Sequence, residues 1–249
     1  MSPLEPTFWI LIGVAFVASF LSAIAGGGGL ITVPALLTAG IPPILAMGTN
    51  KLQSTVGTFS SAYRFYREGF VDVKVVLPAA CYALLGSVLG VLLVRQLGND
   101  LLADILPLLL IAVCLYFLVS PKLSDNNSGA RVSQSSFDRF AGTGMGFYAG
   151  FFGPGSATFY VLGFVSLLGY NIRKATAHTK IIVLVGNGCS AAVFMLAGDV
   201  LWLLALGMAA AQFVGARLGS GLVIKKGVAI VRPILILTCL AMAVYLLVQ

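Results

Sequence analysis

Residues 24–51 read IAGGGGLITVPALLTAGIPPILAMGTNK, and residues 153–180 read GPGSATFYVLGFVSLLGYNIRKATAHTK. Each stretch has a glycine break, then a short apolar segment, and ends on a lysine inside a longer apolar segment. An offset of 129 residues aligns Gly26 with Gly155 and Lys51 with Lys180, and the alignment continues without gaps to Gly90. Apolar segments align by chance in leucine and alanine, but rarely in glycines and a lysine. We interpret the two stretches as copies of one duplicated unit.

The composition predicts that lipid surrounds most of the chain. Of 249 residues, 59% are hydrophobic and 9% are charged, with a mean hydropathy of +1.02. Soluble domains carry about 25% charged residues, so these charges are too few to build a water-exposed surface. The net charge is +7, and most of the basic residues lie at segment ends. This placement is explained by the orientation of the chain in a membrane rather than by nucleic-acid binding. The four cysteines lie in apolar runs without CxxC spacing, and we predict no metal and no cofactor.

Short polar stretches divide the chain into ten apolar segments, which predict an all-α polytopic membrane protein. Two of them are too short for the roughly 20 residues that span a bilayer. At 1.5 Å per residue the first reaches only about 18 Å, which favours a glycine-tipped hairpin over two spans. A hydrophilic linker, 121–136, separates a first repeat, 1–120, from a second, 137–249, each predicted as one hairpin followed by three transmembrane helices. The segments are 8–24, 29–40, 44–66, 73–97, 101–119, 138–152, 156–169, 174–197, 199–223 and 228–248.

Basic residues predict the orientation. If segment ends alternate between the two faces of the membrane, twelve of the fifteen Lys and Arg fall on one face, which the positive-inside rule makes cytoplasmic. Both termini are then outside a prokaryotic inner membrane, and the second repeat is inverted because five segments is an odd number. The twelve are Arg64, Arg67, Lys74, Lys122, Arg131, Arg139, Arg173, Lys174, Arg217, Lys225, Lys226 and Arg232.

The two glycine breaks and the two lysines are the strongest candidates for a substrate site. A helix that begins at a glycine break within the membrane presents free N–H groups and a partial positive charge, which suit an anion. Lys51 and Lys180 lie about 10 Å inside their segments, where a lysine is costly unless it serves a function. Tight helix crossing could explain the glycines instead, and snorkelling to the interface could explain the lysines.

Neutral polar residues around the lysines complete the candidate set. They would donate hydrogen bonds to an oxyanion, and His178 could also shuttle a proton or serve only a helix interface. The substrate-binding candidates are Gly26, Gly27, Gly28, Gly29, Thr49, Asn50, Lys51, Gln53, Gly153, Gly155, Ser156, His178, Thr179, Lys180 and Asn187. No residue is assigned to catalysis.

These motifs resemble those of the TauE/SafE sulfite exporter family over nearly the whole chain. The first-half motif is Gly26–Gly29 with Val33-Pro34, Gly40 and Ala46-x-Gly48-Thr49; the second is 146–155 followed by 175–180. The resemblance implies a bacterial or archaeal permease for sulfite, sulfonates or related sulfur-containing organic anions. Two positions depart from the pattern: Ala149 replaces an acidic residue and Asn50 replaces a serine. A carboxylate for proton coupling is therefore missing at position 149.

We expect alternating access around one site near the membrane midplane. No Asp or Glu lies deep in a segment, and an inside-negative potential drives anions outward, so export as a uniporter is favoured. An anion channel lined by the same lysines is the alternative. An intramembrane hydrolase with Ser156 as nucleophile and His178 as base is a weaker one. The expected partners are a small anion and the lipid bilayer, and a homodimer is left open.

Overall fold

The computed structural model describes residues 4–118 and 128–226, and this part of the chain is helical without a β-strand. Nine of its helices have ten residues or more and agree with the first nine predicted segments, while the tenth, 228–248, lies outside the described residues. The helices are α1 (Pro6–Ala25), α2 (Gly29–Thr38), α3 (Pro43–Arg67), α4 (Val73–Gln96), α5 (Gly98–Leu118), the three-residue α6 (Gln134–Ser136), which continues through a π-helical turn (Phe137–Ala141) into α7 (Gly142–Phe151), α8 (Ser156–Ser166), α9 (Ile172–Leu196) and α10 (Trp202–Lys226).

Side-chain caps and glycines fix the ends of the long helices. The Asp72 carboxylate accepts from the N–H groups of the first turn of α4, and Asn171 does the same for α9. Two residues beyond the ends of α3 and α9 lie Gly69 and Gly198, with φ of 75° and 78°. Left-handed glycines of this kind terminate helices because they have no Cβ to clash. The two glycines are 129 residues apart, as the duplication predicts.

The predicted linker is ordered where the structure describes it. The Ser128 N–H donates to Gly169 O at 2.8 Å, and the Arg131 N–H donates to Leu167 O at 2.7 Å. Ser133 then caps α6, so the last three residues of the predicted linker are helical. This end of the linker therefore lies along the turn between α8 and α9.

The short helices α2 and α8 fold back along the helices that precede them. Ten and eleven residues reach about 15 and 17 Å, well short of a 30 Å hydrocarbon core. Leu36 of α2 packs in one apolar cluster with Phe8 and Leu11 of α1. In the second pair, the Tyr160 hydroxyl of α8 donates to Gly142 O of α7 at 3.0 Å. Each pair is thus a hairpin with the glycine break at its tip.

The helices α3 and α9 run in opposite directions beside each other. The Leu201 N–H, just beyond α9, donates to Thr49 Oγ1 near the start of α3 at 3.1 Å. At that same end, Arg95 of α4 pairs with Asp199 at 2.8 Å. At the other end, the loop after α3 and the first turns of α9 line one cleft. The start of each helix therefore lies at the end of the other.

The outer surface fits a lipid environment. Among the described helices, α1, α4, α9 and α10 are long and apolar enough to cross a membrane. Large apolar side chains such as Trp9, Leu85 and Leu206 are more than half exposed. Many large apolar side chains exposed on these helices match a bilayer core.

Small residues let the helices cross closely, and α7 offers a matched pair to test this. A Cβ on Gly146 would lie 2.5 Å from Ala83 O of α4, whereas a Cβ on Gly144 would meet nothing within 4 Å. We expect Gly146→Ala to lower the free energy of unfolding by about 1–3 kcal/mol through overpacking. Gly144→Ala should change it by less than about 1 kcal/mol, towards greater stability. Thermal unfolding in detergent measures both, and equal unfolding temperatures would contradict this packing.

Candidate functional site

The two hairpin tips meet at a central cavity. A Cβ on Gly29 would lie 3.1 Å from Pro154 Cα, so the first tip contacts the second directly. The cavity has a volume of about 40 Å³, room for about three water molecules if each needs roughly 10–15 Å³. Ten of the predicted site residues line it: Gly27, Gly28, Gly29, Asn50, Lys51, Gly153, Gly155, Ser156, Lys180 and Asn187.

Lys51 is buried and extends from α3 to the second hairpin. Its side chain is 1% exposed, and its ammonium donates to Ala149 O in the last turns of α7. Asn187 Oδ1 of α9 lies 3.5 Å away. A Cβ on Gly153 would lie 2.5 Å from Lys51 Nζ, so only glycine leaves room for the ammonium beside this tip. The lysine therefore does not snorkel to an interface.

Lys180 makes the corresponding contact with the first hairpin. It is 4% exposed, and its Nζ donates to Ser22 O near the end of α1 at 2.7 Å. Each lysine thus contacts a carbonyl near the C-terminus of the first hairpin helix in the other half of the chain, α7 for Lys51 and α1 for Lys180. Those carbonyls carry only partial negative charge. Within the described residues the one salt bridge is between Arg95 and Asp199, so neither lysine has a carboxylate partner.

The electrostatics of the cavity favour an anion. The helices α2 and α8 begin at its wall on Gly28 and Gly155, and no side chain caps either helix. Their N-terminal dipoles add positive potential to that of the two ammonium groups. None of the described residues that line the cavity is acidic. Two lysine side chains and two helix N-termini therefore face a space that no acidic side chain of the described residues lines.

Asn50 is the centre of a polar cluster on α3. Its Oδ1 lies 2.6 Å from Thr32 Oγ1 of α2 and 3.3 Å from Gln53 Nε2. Gln53 is buried behind Asn50 rather than in the cavity wall. This cluster fixes the Asn50 amide against the first hairpin, and Asn50 itself lines the cavity.

Five predicted site residues lie outside the cavity wall: Gly26, Thr49, Gln53, His178 and Thr179. Gly26 packs against α8, where a Cβ would lie 2.8 Å from the Thr158 backbone nitrogen. The Thr49 hydroxyl accepts the Leu201 N–H at one end of the bundle. Thr179 is fully buried, and within the described residues its hydroxyl has no hydrogen-bond partner.

His178 lines a separate cleft at the end of the bundle that carries Arg173 and Lys174. This cleft has a volume of about 600 Å³. The imidazole packs between the rings of Phe164 and Tyr170, and its Nδ1 lies 2.9 Å from Lys174 O. A carbonyl only accepts, so Nδ1 is the donor in this contact. The histidine is therefore neither beside Ser156 nor in the cavity that holds the lysines.

Sequence reasoning missed six polar residues of the cavity wall: Ser19, Ser22, Ser54, Thr58, Ser61 and Gln212. Three of them follow Asn50 on α3 at positions 54, 58 and 61, a spacing that places them along one helix face. That periodicity is visible in the sequence. The contributions of Ser19 and Ser22 are not, because they depend on where α1 packs.

Asp138 is the buried acidic side chain of the described part of the chain. It is 4% exposed and accepts from Gln134 Nε2 at 2.7 Å. It lies in the π-helical turn before α7 and does not line the central cavity. Its position agrees with the prediction that acidic residues are confined to segment ends.

The chain is similar to a family of membrane proteins and to several of their individual members. The family model described as sulfite exporter TauE/SafE matches residues 11–246. A probable membrane transporter protein, ORF9, of a Sinorhizobium species is 44% identical, over 95% of this chain and 91% of that protein. Probable membrane transporter proteins of Haemophilus influenzae and of Escherichia coli K12, the latter called YfcA, are 43% and 42% identical. They cover 92% and 96% of this chain, and 89% and 88% of their own lengths are matched. No solved structure matches the chain.

Proposed function

The chain belongs to the sulfite exporter TauE/SafE family of membrane transporters, and on that premise we propose that it moves a small oxyanion through the central cavity. The chain is a transporter rather than an enzyme. The observation that supports an anionic substrate is the pair of buried ammonium groups, each held only by backbone and amide oxygens within the described residues. A bound oxyanion would supply the missing negative charge and accept their hydrogen bonds.

The size of the cavity favours a compact substrate. A volume of about 40 Å³ accommodates an anion of a few heavy atoms, such as sulfite, better than a long organic sulfonate. Asn50, Asn187 and Ser156 are neutral hydrogen-bonding groups in its wall that would bind the oxygens of such an anion. We therefore rank sulfite and the smallest sulfonates first.

We further propose that the two halves, 1–120 and 137–249, are inverted repeats that rock against each other around the cavity. Three observations support this proposal. The lysines Lys51 and Lys180 make reciprocal contacts with the opposite hairpin. The equivalent helices α3 and α9 run in opposite directions. The helix α1 packs on α10, and its equivalent α7 packs on α4.

The proposed orientation places the end with Arg64 and Arg67 in the cytoplasm and both termini outside an inner membrane. A membrane-impermeant thiol reagent applied outside should then label Asp100→Cys and spare Glu68→Cys. Both positions are exposed at opposite ends of the bundle. Both cysteines should react after permeabilisation, which serves as the control. External labelling of Glu68→Cys alone would reverse the orientation.

Export without a coupling ion is the mode that we propose. The described cavity wall holds no carboxylate, and Asp138 lies away from it, so proton coupling through an acidic residue has no site there. The membrane potential supplies about 2.3 kcal/mol per charge per 100 mV to outward anion movement. At 100 mV this energy sustains roughly a 50-fold outward gradient of a monovalent anion.

Two other functions make different predictions. A channel lined by the same lysines would conduct without saturation. A hydrolase would need Ser156 and His178 in contact, but only Ser156 lines the cavity. Flux of sulfite, sulfate, thiosulfate and sulfoacetate into liposomes containing the purified protein tests the proposal. Saturable flux of at least one of these anions supports it, and no flux of any would contradict it.

A further inference from the structure

We propose that the anion reaches the central cavity along a hydroxyl-lined route on α3, while the equivalent route on α9 is closed in this conformation. The inference rests on the proposed function, because it assigns a path to the same cavity. It names the side from which the substrate is loaded.

The open route follows one face of α3 from the lysine to the end of the helix. Ser54, Thr58 and Ser61 line the cavity; Ser54 and Thr58 are partly exposed, and Ser61 is buried. Ten residues separate Ser61 from Lys51, or about 15 Å of helix. Gln212 and Ala216 of α10 form the opposite wall. The cavity therefore extends from the hairpin tips towards the end of α3 that carries Arg64.

Charge and chemistry at this route suit an anion. The hydroxyl groups can donate to an oxyanion along the way without fixing it as a full charge would. Arg64 follows Ser61 by one turn, and its guanidinium donates to Arg217 O at 2.6 Å. Arg64 and Arg217 lie at this end of the bundle, and their positive charges raise the local concentration of anions there.

The face of α9 that corresponds to this route lines the cavity only as far as Asn187 and is closed beyond it. The equivalents of Ser54, Thr58 and Ser61 are Val183, Asn187 and Ser190. Val183 and Asn187 also line the cavity, but Ser190, one turn further along α9, does not. Ser190 Oγ instead lies 2.7 Å from Ser87 Oγ of α4, which also donates to Gly186 O at 2.8 Å. On the open side the residue that corresponds to Ser87 is Ala216, which has no hydroxyl group. Hydrogen bonds therefore close the contact between α4 and α9, whereas the cavity separates the equivalent helices α10 and α3.

The equivalent glycines Gly57 and Gly186 provide a matched pair. A Cβ on Gly57 would lie 2.6 Å from Gln212 Oε1 and 2.9 Å from Ser19 Oγ, both in the cavity wall. A Cβ on Gly186 would lie 3.7 Å from Ser87 Oγ, an ordinary contact. Gly57→Ala should therefore push side chains into the open route, whereas Gly186→Ala should not.

Thiol labelling tests the route independently of any substrate. In a variant with all four native cysteines replaced, we compare Ser54→Cys with Val183→Cys, and Ser61→Cys with Ser190→Cys, using a small impermeant methanethiosulfonate. We expect the α3 cysteines to react at least tenfold faster than their α9 equivalents. The reaction should occur only from the side on which Glu68→Cys reacts. Equal rates, or faster reaction of the α9 cysteines, would overturn the proposal.

Sulfite flux in liposomes is the second test of the route. Gly57→Ala should lower the flux at least tenfold and Gly186→Ala by less than twofold, at unfolding temperatures within a few degrees of the parent. A parent that labels asymmetrically but moves no anion would refute the proposed function and leave the route standing. A parent that transports but labels symmetrically would refute the route alone.

Discussion

Replacing Lys51 or Lys180 by methionine is expected to lower anion transport at least 30-fold. Each lysine is more than nine-tenths buried, and its ammonium faces a cavity without a carboxylate among the described residues. Removing one partner of a buried charge pair typically costs about 2–5 kcal/mol. At about 1.4 kcal/mol per tenfold change, that corresponds to a loss of roughly 30-fold or more. Initial rates of sulfite efflux from proteoliposomes measure the effect.

Stability separates this role from a structural one. Methionine keeps most of the lysine stem but removes a buried charge, so the unfolding temperature should stay the same or rise. Lys226→Met is the control, because Lys226 is exposed at the end of α10 and should affect neither property. If Lys51→Met and Lys180→Met both transport like the parent, these lysines do not bind the substrate.

Membrane potential, rather than a pH gradient, is expected to drive the transport. For a monovalent anion, 100 mV is worth about 2.3 kcal/mol, or roughly a 50-fold accumulation at equilibrium. A sulfonate that stays charged across the pH range should accumulate in liposomes with a valinomycin-set, interior-positive potential. A pH gradient at zero potential should produce less than a twofold accumulation.

His178 is the residue that would contradict this expectation. Its position in a separate cleft, with Nδ1 bonded to Lys174 O, indicates a local structural role. Parent and His178→Gln should therefore behave alike under a pure pH gradient. Uphill transport in the parent that disappears in His178→Gln would establish proton coupling through this histidine.

The helices were predictable because their signals are local. Glycine breaks and apolar length predicted the boundaries within a few residues, and in the structure Asp72 and Asn171 cap the starts of α4 and α9. The main departure is the linker, where Ser133 starts a helix that its polar sequence does not suggest. The π-helical turn after it was also missed, because such turns are rare and have no simple sequence pattern.

The centre of the candidate site was predictable, but its periphery was not. Symmetry between the halves singled out Lys51, Lys180 and both glycine breaks, and both lysines and part of each glycine break line the cavity. Sequence proximity to a lysine was an uneven guide, since Asn50 lines the cavity but Thr49 and Thr179 do not. Adjacent helical residues differ by about 100° in direction. The far wall, with Gln212, depends on tertiary packing that one sequence does not reveal.

Counterflow of sulfite tests most directly whether the protein is a carrier that binds an anion between its two halves. Liposomes loaded with unlabelled sulfite, with potential and pH clamped at zero gradient, receive a trace of labelled sulfite outside. The parent should accumulate label transiently above equilibrium and saturate with concentration, and Lys51→Met should do neither. Flux that rises linearly without an overshoot would identify a channel, and the absence of any flux would contradict the proposed transport of sulfite.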